Sequence, residues 1–220
     1  MRVLHLSLVI IFILSFSTVV IGREFVYQKT KGGIISKFKI NTEISKDPKI
    51  IAYSVIDENE INEYECHQDY DLITWKYSNS TNSTKIEGKN ESNILVFSGK
   101  LKGEVINKRV EIDSDPWYQD IMVPLSYVSK TEKEEIAFWL VNADDLKAYK
   151  MIATREGIEQ IIVNDASVQS INYHISVSGF PSFIWKLETW FRENDSVFVK
   201  FDGAISGPFA SKTLIELIGE

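Results

Sequence analysis

The chain has 220 residues, and its 31 acidic against 24 basic side chains give a net charge of −7. An acidic protein is repelled by nucleic-acid phosphates and by anionic lipid surfaces, so nucleic-acid binding is disfavoured. Cys66 is the only cysteine, which excludes an intrachain disulfide framework. The fold must therefore be held together by packing, and the chain is long enough for one sizeable core.

Residues 1–22 have the three parts of a secretory signal peptide. Arg2 supplies a short basic region, residues 6–21 carry no charge, and a small residue precedes Arg23. The apolar run is longer than a usual signal core but shorter than the about 20 residues of a spanning helix, so an uncleaved anchor is the alternative. We expect cleavage, secretion of residues 23–220, and no membrane anchor after cleavage.

Four Asn-X-Ser/Thr triplets point to the same compartment, because they are acceptors of N-linked glycans in secreted proteins. The acceptors are Asn79, Asn82, Asn90 and Asn194. Three of them fall within residues 78–93, a polar low-complexity stretch that is nearly free of large apolar side chains. We predict that this stretch is an exposed, mobile and glycosylated loop.

The dominant hydrophobic period after residue 22 is two. Ile171, Tyr173, Ile175 and Val177 alternate with polar residues, as the two faces of a half-buried strand require. Similar β-branched or aromatic runs recur between clusters of Gly, Asn, Asp and Ser. We predict strands at residues 24–30, 34–40, 49–56, 71–77, 94–98, 104–112, 135–141, 148–155, 158–163, 168–177, 183–192, 197–202 and 213–218.

The connections favour an antiparallel arrangement. Short polar segments at residues 164–167 and 193–196 predict hairpin turns, whereas a parallel pair would need a long crossover. Helix signals are sparse, and Asn142 caps at most a short turn. The expected fold class is all-β: an antiparallel curled sheet, half-barrel or sandwich, with at most short helices after the signal peptide, in a single domain at 23–220.

Aromatic residues crowd the C-terminal half of the chain. Aromatic rings bury large areas, so core filling is the preferred interpretation and a hydrophobic cavity lined by these rings is the alternative. The residues concerned are Trp139, Phe183, Trp185, Trp190, Phe191, Phe198, Phe201 and Phe209.

One short cluster has the side chains of a metal site. On an extended strand Glu65, His67, Asp69 and Asp71 would share a face. Four such positions spread over about 20 Å, so they cannot converge on one ion without a turn. An acidic loop is the preferred interpretation, and we expect neither a metal nor a cofactor.

The sequence indicates no catalytic residue. Cys66 and His67 are neighbours on a strand and point to opposite faces, so they cannot pair as nucleophile and base. Cys66 is better explained as a buried small hydrophobe. Asp113 and Asp115 precede Trp117, and an aromatic residue beside acids is a feature of sugar sites. A secreted carbohydrate hydrolase is therefore the alternative to a non-enzymatic domain.

The run WKLETWFRENDSVFVKFDG at residues 185–203 is followed by a Gly-Pro turn and a closing strand. This pattern resembles the late strands of uncharacterised secreted or periplasmic β-domains, which are similar to the half-barrel of outer-membrane lipoprotein carriers. The resemblance covers about the last third of the chain and carries over no binding residue. It implies an antiparallel sheet curled around a hydrophobic interior that is open to a lipid or acyl chain.

These observations together predict a secreted, glycosylated β-domain without enzymatic activity. Its partner is expected to be a lipid or other hydrophobic ligand, or another protein. No residue of the sequence identifies the ligand.

Overall fold

A computed structural model describes residues 22–44, 47, 49–179, 187–204 and 210–220. The predicted signal peptide, apart from Gly22, and the predicted Gly-Pro turn lie outside these residues. The described strands form one fourteen-stranded sheet in which all neighbours are antiparallel, which confirms the predicted fold class. The elements are β1 (Arg23–Lys31), β2 (Ile34–Ile44), β3 (Ile51–Ile56), β4 (Glu60–Cys66), β5 (Leu72–Asn79), β6 (Thr84–Asn90), β7 (Ile94–Leu101), β8 (Glu104–Glu111), α1 (Met122–Val128), β9 (Glu135–Val141), β10 (Ala148–Val163), β11 (Ala166–Val177), β12 (Leu187–Arg192), β13 (Phe198–Gly203) and β14 (Thr213–Gly219).

The first and last strands meet in the middle of the sheet. β1 pairs with β2 on one side and with β14 on the other, so the strand order runs from β8 through β1 and β14 to β9. Most connections are tight hairpins. Asn164 and Asp165 both have positive φ, 47° and 62°, as a two-residue turn matched to strand twist requires. This confirms the hairpin predicted there.

The inward side chains form two buried clusters under the curled sheet. One contains Tyr27 and Phe38, together with Phe191, Phe198 and Phe201 of the C-terminal strands. Core filling by aromatic residues is thus confirmed for Phe191 and Phe198, whereas Phe201 is buried but also lines the cavity described below. Trp190 is half-buried against this cluster and Trp139 against the second, whereas Phe183, Trp185 and Phe209 lie outside the described residues. The second cluster contains Tyr53, Tyr64, Trp75, Phe97 and Trp117.

The edges of the sheet approach each other without closing a barrel. β8 is one edge and β9 the other. Lys108 Nζ of β8 donates to the carbonyl of Asp145 in the β9–β10 turn at 2.9 Å. Lys102, at the β7–β8 turn, pairs with Asp144 at 3.1 Å. Side chains therefore bridge a gap that no backbone ladder crosses.

Residues 112–121, which we call the strap, connect β8 to α1; they start at the surface and enter the interior at Trp117. Trp117 is fully buried and forms a parallel bridge with Trp139 of β9. Its carbonyl accepts the N–H of Leu72 at the start of β5, at 3.1 Å. A Cβ at Gly88 of β6 would lie 2.7 Å from Phe97 Cε1 and 3.1 Å from Trp117 Cη2, so glycine makes room for both rings. The strap thus ties an edge strand to the other half of the sheet.

The prediction of a loop at residues 78–93 is wrong. The stretch contains the end of β5, a turn at 80–83, all of β6 and a turn at 91–93. β6 is hydrogen-bonded to β5 on one side and β7 on the other, so backbone pairing stabilises a strand whose composition is polar. Likewise the two strands predicted at 148–155 and 158–163 are one strand, β10, with a bulge between Arg155 and Gly157.

The two ends of the curled sheet differ. Alternate connections of an antiparallel meander lie at opposite ends, and this places the turns at 32–33, 57–59, 80–83, 102–103 and 142–147 at one end, the mouth rim. The turns at 67–71, 91–93, 164–165 and 193–197 lie at the other end, the strap rim. None of the helices in the described ranges has the length and apolar character needed to cross a bilayer.

Candidate ligand-binding site

A cavity of about 550 Å³ lies inside the curled sheet. Its walls come from both halves of the sheet, from the inner end of the strap and from the β9–β10 turn. Most lining residues lie at strand ends next to mouth-rim turns, so the cavity lies toward that end of the sheet. The lining consists of Val55, Glu60, Asn62, Tyr64, Trp75, Tyr77, Gln119, Asp120, Ile121, Met122, Leu140, Val141, Asn142, Ala143, Asp144, Tyr149, Met151, Ile175, Leu187, Phe201 and Ile215.

Apolar side chains form the opposing walls. Tyr64 and Trp75 face inward from β4 and β5, and both are buried. Met151, Ile175 and Phe201 face them from β10, β11 and β13. The period of two places these residues inside because each strand buries alternate positions. The cavity is therefore a gap between two aromatic and aliphatic clusters.

Polar side chains in the lining already have protein partners. Asn62 Oδ1 accepts the indole N–H of Trp75 at 3.0 Å. Gln119 Nε2 donates to the carbonyl of Val141 at 2.6 Å, and Gln119 Oε1 accepts the N–H of the same residue at 3.1 Å. Because these groups are bonded within the protein, they place few hydrogen-bonding demands on a bound molecule.

Asn79, Glu60 and Tyr77 form a hydrogen-bonded set of polar side chains near the mouth rim. Asn79 Nδ2 donates to Glu60 Oε1 at 2.9 Å and to the hydroxyl of Tyr77 at 3.3 Å. Asn79 Oδ1 accepts the backbone N–H of Thr81 at 2.9 Å and that of Asn82 at 3.3 Å. Asn79 is 9% exposed; its Oδ1 holds the β5–β6 turn, and its Nδ2 ties that turn to side chains of β4 and β5.

Asp120 is the buried acid of the cavity. It lies where the strap turns into α1, and its oxygens accept the N–H groups of Met122 and Val123, both at 3.1 Å. Burial raises the pKa of Asp120 to about 6, while the backbone donors oppose that shift. Burial, followed by the Asp120 charge, also raises the pKa of the Tyr64 phenol. The cavity thus contains a carboxyl group that titrates close to neutral pH.

The four predicted glycan acceptors are not brought together. Asn79 and Asn82 lie at the mouth rim, where Asn82 is half-buried in the turn. Asn90 ends β6 at the strap rim, and its Oδ1 accepts the N–H of Asn93 at 3.2 Å. Asn194 is exposed in the β12–β13 turn. Glycosylation of these residues stays a prediction.

The cluster at residues 65–71 spans the end of β4 and the turn at 67–71 that leads to β5. The N–H of His67 bonds to the carbonyl of Asp71 at 2.9 Å, and Asp71 Oδ1 accepts the N–H of Trp117 at 2.8 Å. Across the described ranges, no three His, Cys, Asp or Glu side chains converge as metal ligands. Cys66 is fully buried and burial raises the pKa of its thiol, which confirms its interpretation as a small hydrophobe.

The acids proposed for the hydrolase alternative form an ion-paired surface cluster. Lys150 pairs with Asp113 and, at 2.7 Å, with Asp115. The indole N–H of Trp139 donates to Asp113 at 2.8 Å. Hydrogen bonds from Lys150 and then Trp139 lower the pKa of Asp113 to about 2. A glycosidase general acid needs a raised pKa, so Asp113 is unsuited to that role.

A second hollow of about 650 Å³ lies over the outward side chains of β4 to β7. Its lining includes Glu63, Lys76, Lys85, Glu87 and Lys100. It belongs to the charged outer surface of the sheet and lacks the opposed apolar walls of the inner cavity.

Comparison with known proteins supports the fold. A scan of known protein families finds no match, and neither does a search of curated proteins. Among solved structures, the β-barrel-like protein of domain of unknown function DUF1849 from Brucella abortus is 9% identical, with a TM-score of 0.51 over 91% of this chain and 96% of that one. This similarity establishes a β-barrel-like fold shared along nearly the whole chain.

Two further structures are similar at lower scores. The hypothetical lipoprotein YmcC from Escherichia coli is 9% identical, with a TM-score of 0.39 over 89% of this chain and 86% of that one. A DUF1329 family protein from Desulfovibrio piger is 10% identical, with a TM-score of 0.29 over 90% and 82%. The DUF1849 similarity alone confirms the predicted resemblance to uncharacterised β-domains at the level of fold, and it is not confined to the C-terminal third.

Sequence reasoning missed the polar residues of the cavity. Glu60 and Asn62 alternate along β4 with the same period of two as Tyr64 and Cys66, so all four side chains point inward. This alternation is the feature of the sequence that could have placed them inside. Asp120 directly precedes Ile121 and the apolar start of α1, a position from which a short acid bonds the first turn. Neither signal shows that the residues share a cavity, because they meet only in the folded sheet.

Proposed function

We propose that this protein is an extracytoplasmic β-domain that carries a hydrophobic ligand in the cavity inside its curled sheet. The observation that carries the proposal is a cavity of about 550 Å³ with opposed apolar walls. Ligand pockets typically have about 300–1,000 Å³ and apolar linings with a few polar groups. The inner cavity meets both conditions.

The compartment is proposed from the sequence. Residues 1–22 have the composition of a signal peptide, and four glycan acceptor triplets follow them. A carrier of hydrophobic molecules is useful outside the cytoplasm because such molecules are poorly soluble between membranes.

The charges of the cavity limit the ligand class. The ionisable acids among the described lining residues are Glu60, Asp120 and Asp144, and that lining includes no Lys, Arg or His. An anionic head buried beside Asp120 would add a like charge in a site of low dielectric constant. The proposed ligand is therefore a lipid-like molecule whose buried part is uncharged.

Binding of the neutral fluorescent probe N-phenyl-1-naphthylamine tests the proposal. Ala143 is half-buried in the cavity wall, so Ala143→Trp should fill the space and weaken probe binding at least tenfold. Ala166 is exposed at the start of β11, and Ala166→Trp is the matched control. Equal probe affinity in both variants, or no probe binding by the parent protein, would contradict the proposal and favour the protein-partner alternative.

Native mass spectrometry of protein purified from the medium of the cells that produce it identifies the natural ligand. A co-purifying lipid in the parent protein, missing from Ala143→Trp and present in Ala166→Trp, is the expected result. A lipid retained equally by the two variants would place it outside the cavity.

A further inference from the structure

The most exposed apolar side chains of the described residues lie on the mouth rim. Val105, Ile34 and Ile35 are 81%, 75% and 62% exposed. Ile34 and Ile35 follow the β1–β2 turn, and Val105 follows the β7–β8 turn. Large apolar groups left in water at one end of a molecule mark an interaction surface.

We call the ends of the β1–β2 and β7–β8 hairpins at the mouth rim the two tips. Basic residues flank both of them. Residues 29–37, the tip half of the β1–β2 hairpin, hold three lysines and no acidic residue, although the whole chain has a net charge of −7. Lys31 and Lys37 are exposed on either side of the two isoleucines. At the second tip Lys100 and Lys102 are exposed before Val105, and the exposed Glu104 leaves one net positive charge there. The hairpin therefore has the charge opposite to that of the chain as a whole.

Several acids of the mouth rim are neutralised within the protein. Asp57 pairs with Lys29, Asp144 with Lys102 and Asp202 with Lys212. Within the described part of the chain, Lys31, Lys37 and Lys100 have no such ion pair.

We propose that the mouth rim docks onto an anionic lipid bilayer, with Ile34, Ile35 and Val105 inserted among the lipids and the flanking lysines at the phosphates. Apolar side chains beside basic ones are the combination that binds the bilayer interface. The tips are about six strand spacings, or about 30 Å, apart along the sheet, so two contacts would set the orientation. The end of the sheet toward which the cavity lies then faces the membrane.

The charge distribution favours this orientation over its reverse. An acidic molecule as a whole is repelled by an anionic surface, but a local basic patch turns toward that surface and the acidic remainder turns away. The repulsion expected from the net charge therefore does not hold at the hairpin tip. The inference concerns a surface and not the cavity, so it stands apart from the proposed ligand.

Co-sedimentation with vesicles tests the inference. The protein should sediment with vesicles of phosphatidylcholine and phosphatidylserine at a 3:1 ratio and less with phosphatidylcholine alone. The double variant Ile34→Ser/Ile35→Ser should weaken binding about tenfold or more, because two apolar side chains no longer insert. The double variant Lys31→Ser/Lys37→Ser should weaken it about fivefold for each lysine at low salt, and less at high salt.

Ile158→Ser/Ile162→Ser is the matched control, since these isoleucines of β10 are 48% and 58% exposed away from both tips. It should bind vesicles as the parent protein does. Equal losses in the control and in the tip variant, or no binding to anionic vesicles, would overturn the inference. The tip variant should also keep its affinity for N-phenyl-1-naphthylamine, so a failed cavity and a failed docking surface give different results.

Discussion

The indole of Trp117 meets Trp75 edge to face, with ring centroids 6.4 Å apart and ring planes at 86°. Phe97 meets Trp117 in the same way at 6.0 Å and 88°. Edge-to-face pairs add about 0.5–1.5 kcal/mol beyond the area they bury. Three rings from the strap, β5 and β7 thus hold the strap inside the sheet.

Replacing Trp117 should therefore destabilise the whole fold. We expect Trp117→Ala to lower the free energy of unfolding by about 3–5 kcal/mol, because it leaves a cavity beneath the strap. Urea unfolding followed by circular dichroism measures the change. Trp190→Ala is the control: Trp190 is only half-buried on β12, and we expect less than half of that loss. Similar losses in both variants would show that the strap has no special role.

Asp120 should make stability depend on pH. Its folded pKa of about 6 lies above the ordinary value of 3.8, so the folded protein holds this proton more tightly than the unfolded chain. Stability from this group is fully present below about pH 4 and is lost as the pH rises through about 6. The shift corresponds to about 3 kcal/mol.

The measurement compares Asp120→Asn with the parent protein in urea at pH 4.5 and 7.5. The variant cannot titrate at this position, so the parent should lose stability relative to it between the two pH values. Other carboxylates affect both proteins alike and cancel in the difference. A constant difference across the range would show that Asp120 ionises normally.

The ion pairs of Lys150 should control the acidity of Asp113. Lys150→Met removes the first donor to Asp113, so the pKa of that carboxyl should rise from about 2 toward its ordinary value. Carbon-13 NMR titration of the side-chain carboxyls reports this pKa directly. Trp139→Phe removes the second donor and should give a smaller rise. An unchanged pKa of Asp113 in Lys150→Met would show that Lys150 does not control the acidity of that carboxyl.

The acceptor triplets should differ in two ways. We expect a glycan on at least one of Asn79, Asn82 and Asn90, and burial makes Asn79 the least accessible of them in the folded protein.

Asn79→Ala should lower the free energy of unfolding by about 1–3 kcal/mol, because the groups to which Asn79 bonds become unsatisfied. Asn90→Gln should leave stability nearly unchanged. Mass spectrometry of glycopeptides and urea unfolding check the two expectations, and equal costs in both variants would contradict the second.

Deletion of residues 79–92 should unfold the protein. The deletion removes β6, which is paired on both sides, and leaves β5 and β7 without a shared neighbour. A true loop could be shortened at little cost. A deletion variant that melts near the parent temperature would show that β5 and β7 can pair directly.

The fold class could be predicted from period-two runs, but β4 and β6 could not. Inward positions of β4 begin with Glu60 and Asn62, while Ile61 points outward and is 44% exposed. This phase contradicts the rule that apolar residues point inward. In β6, Thr84 and Gly88 are inward, so only Ile86 gives an apolar signal.

The cavity was beyond sequence reasoning because its walls come from distant segments. Tyr64 and Met151 face the same space but belong to opposite halves of the sheet. Their proximity depends on the curl of the sheet and on the strap, and neither follows from local periodicity. The helix α1 was also missed, since its MVPLSYV sequence has a proline and β-branched residues and is stabilised by burial of Leu125 and Val128.

The pairing of β1 with β14 has a consequence for synthesis on the ribosome. Lys29 on β1 lies opposite Ile215 on β14, so the two paired strands are far apart in the sequence. β1 is therefore synthesised long before β14, and one of its edges stays unpaired while the intervening strands are made. An unpaired edge invites association with other nascent chains. Lys29 and Lys31 lie on that strand, and charged side chains on an open edge oppose such association. These lysines would protect the growing chain until β14 arrives.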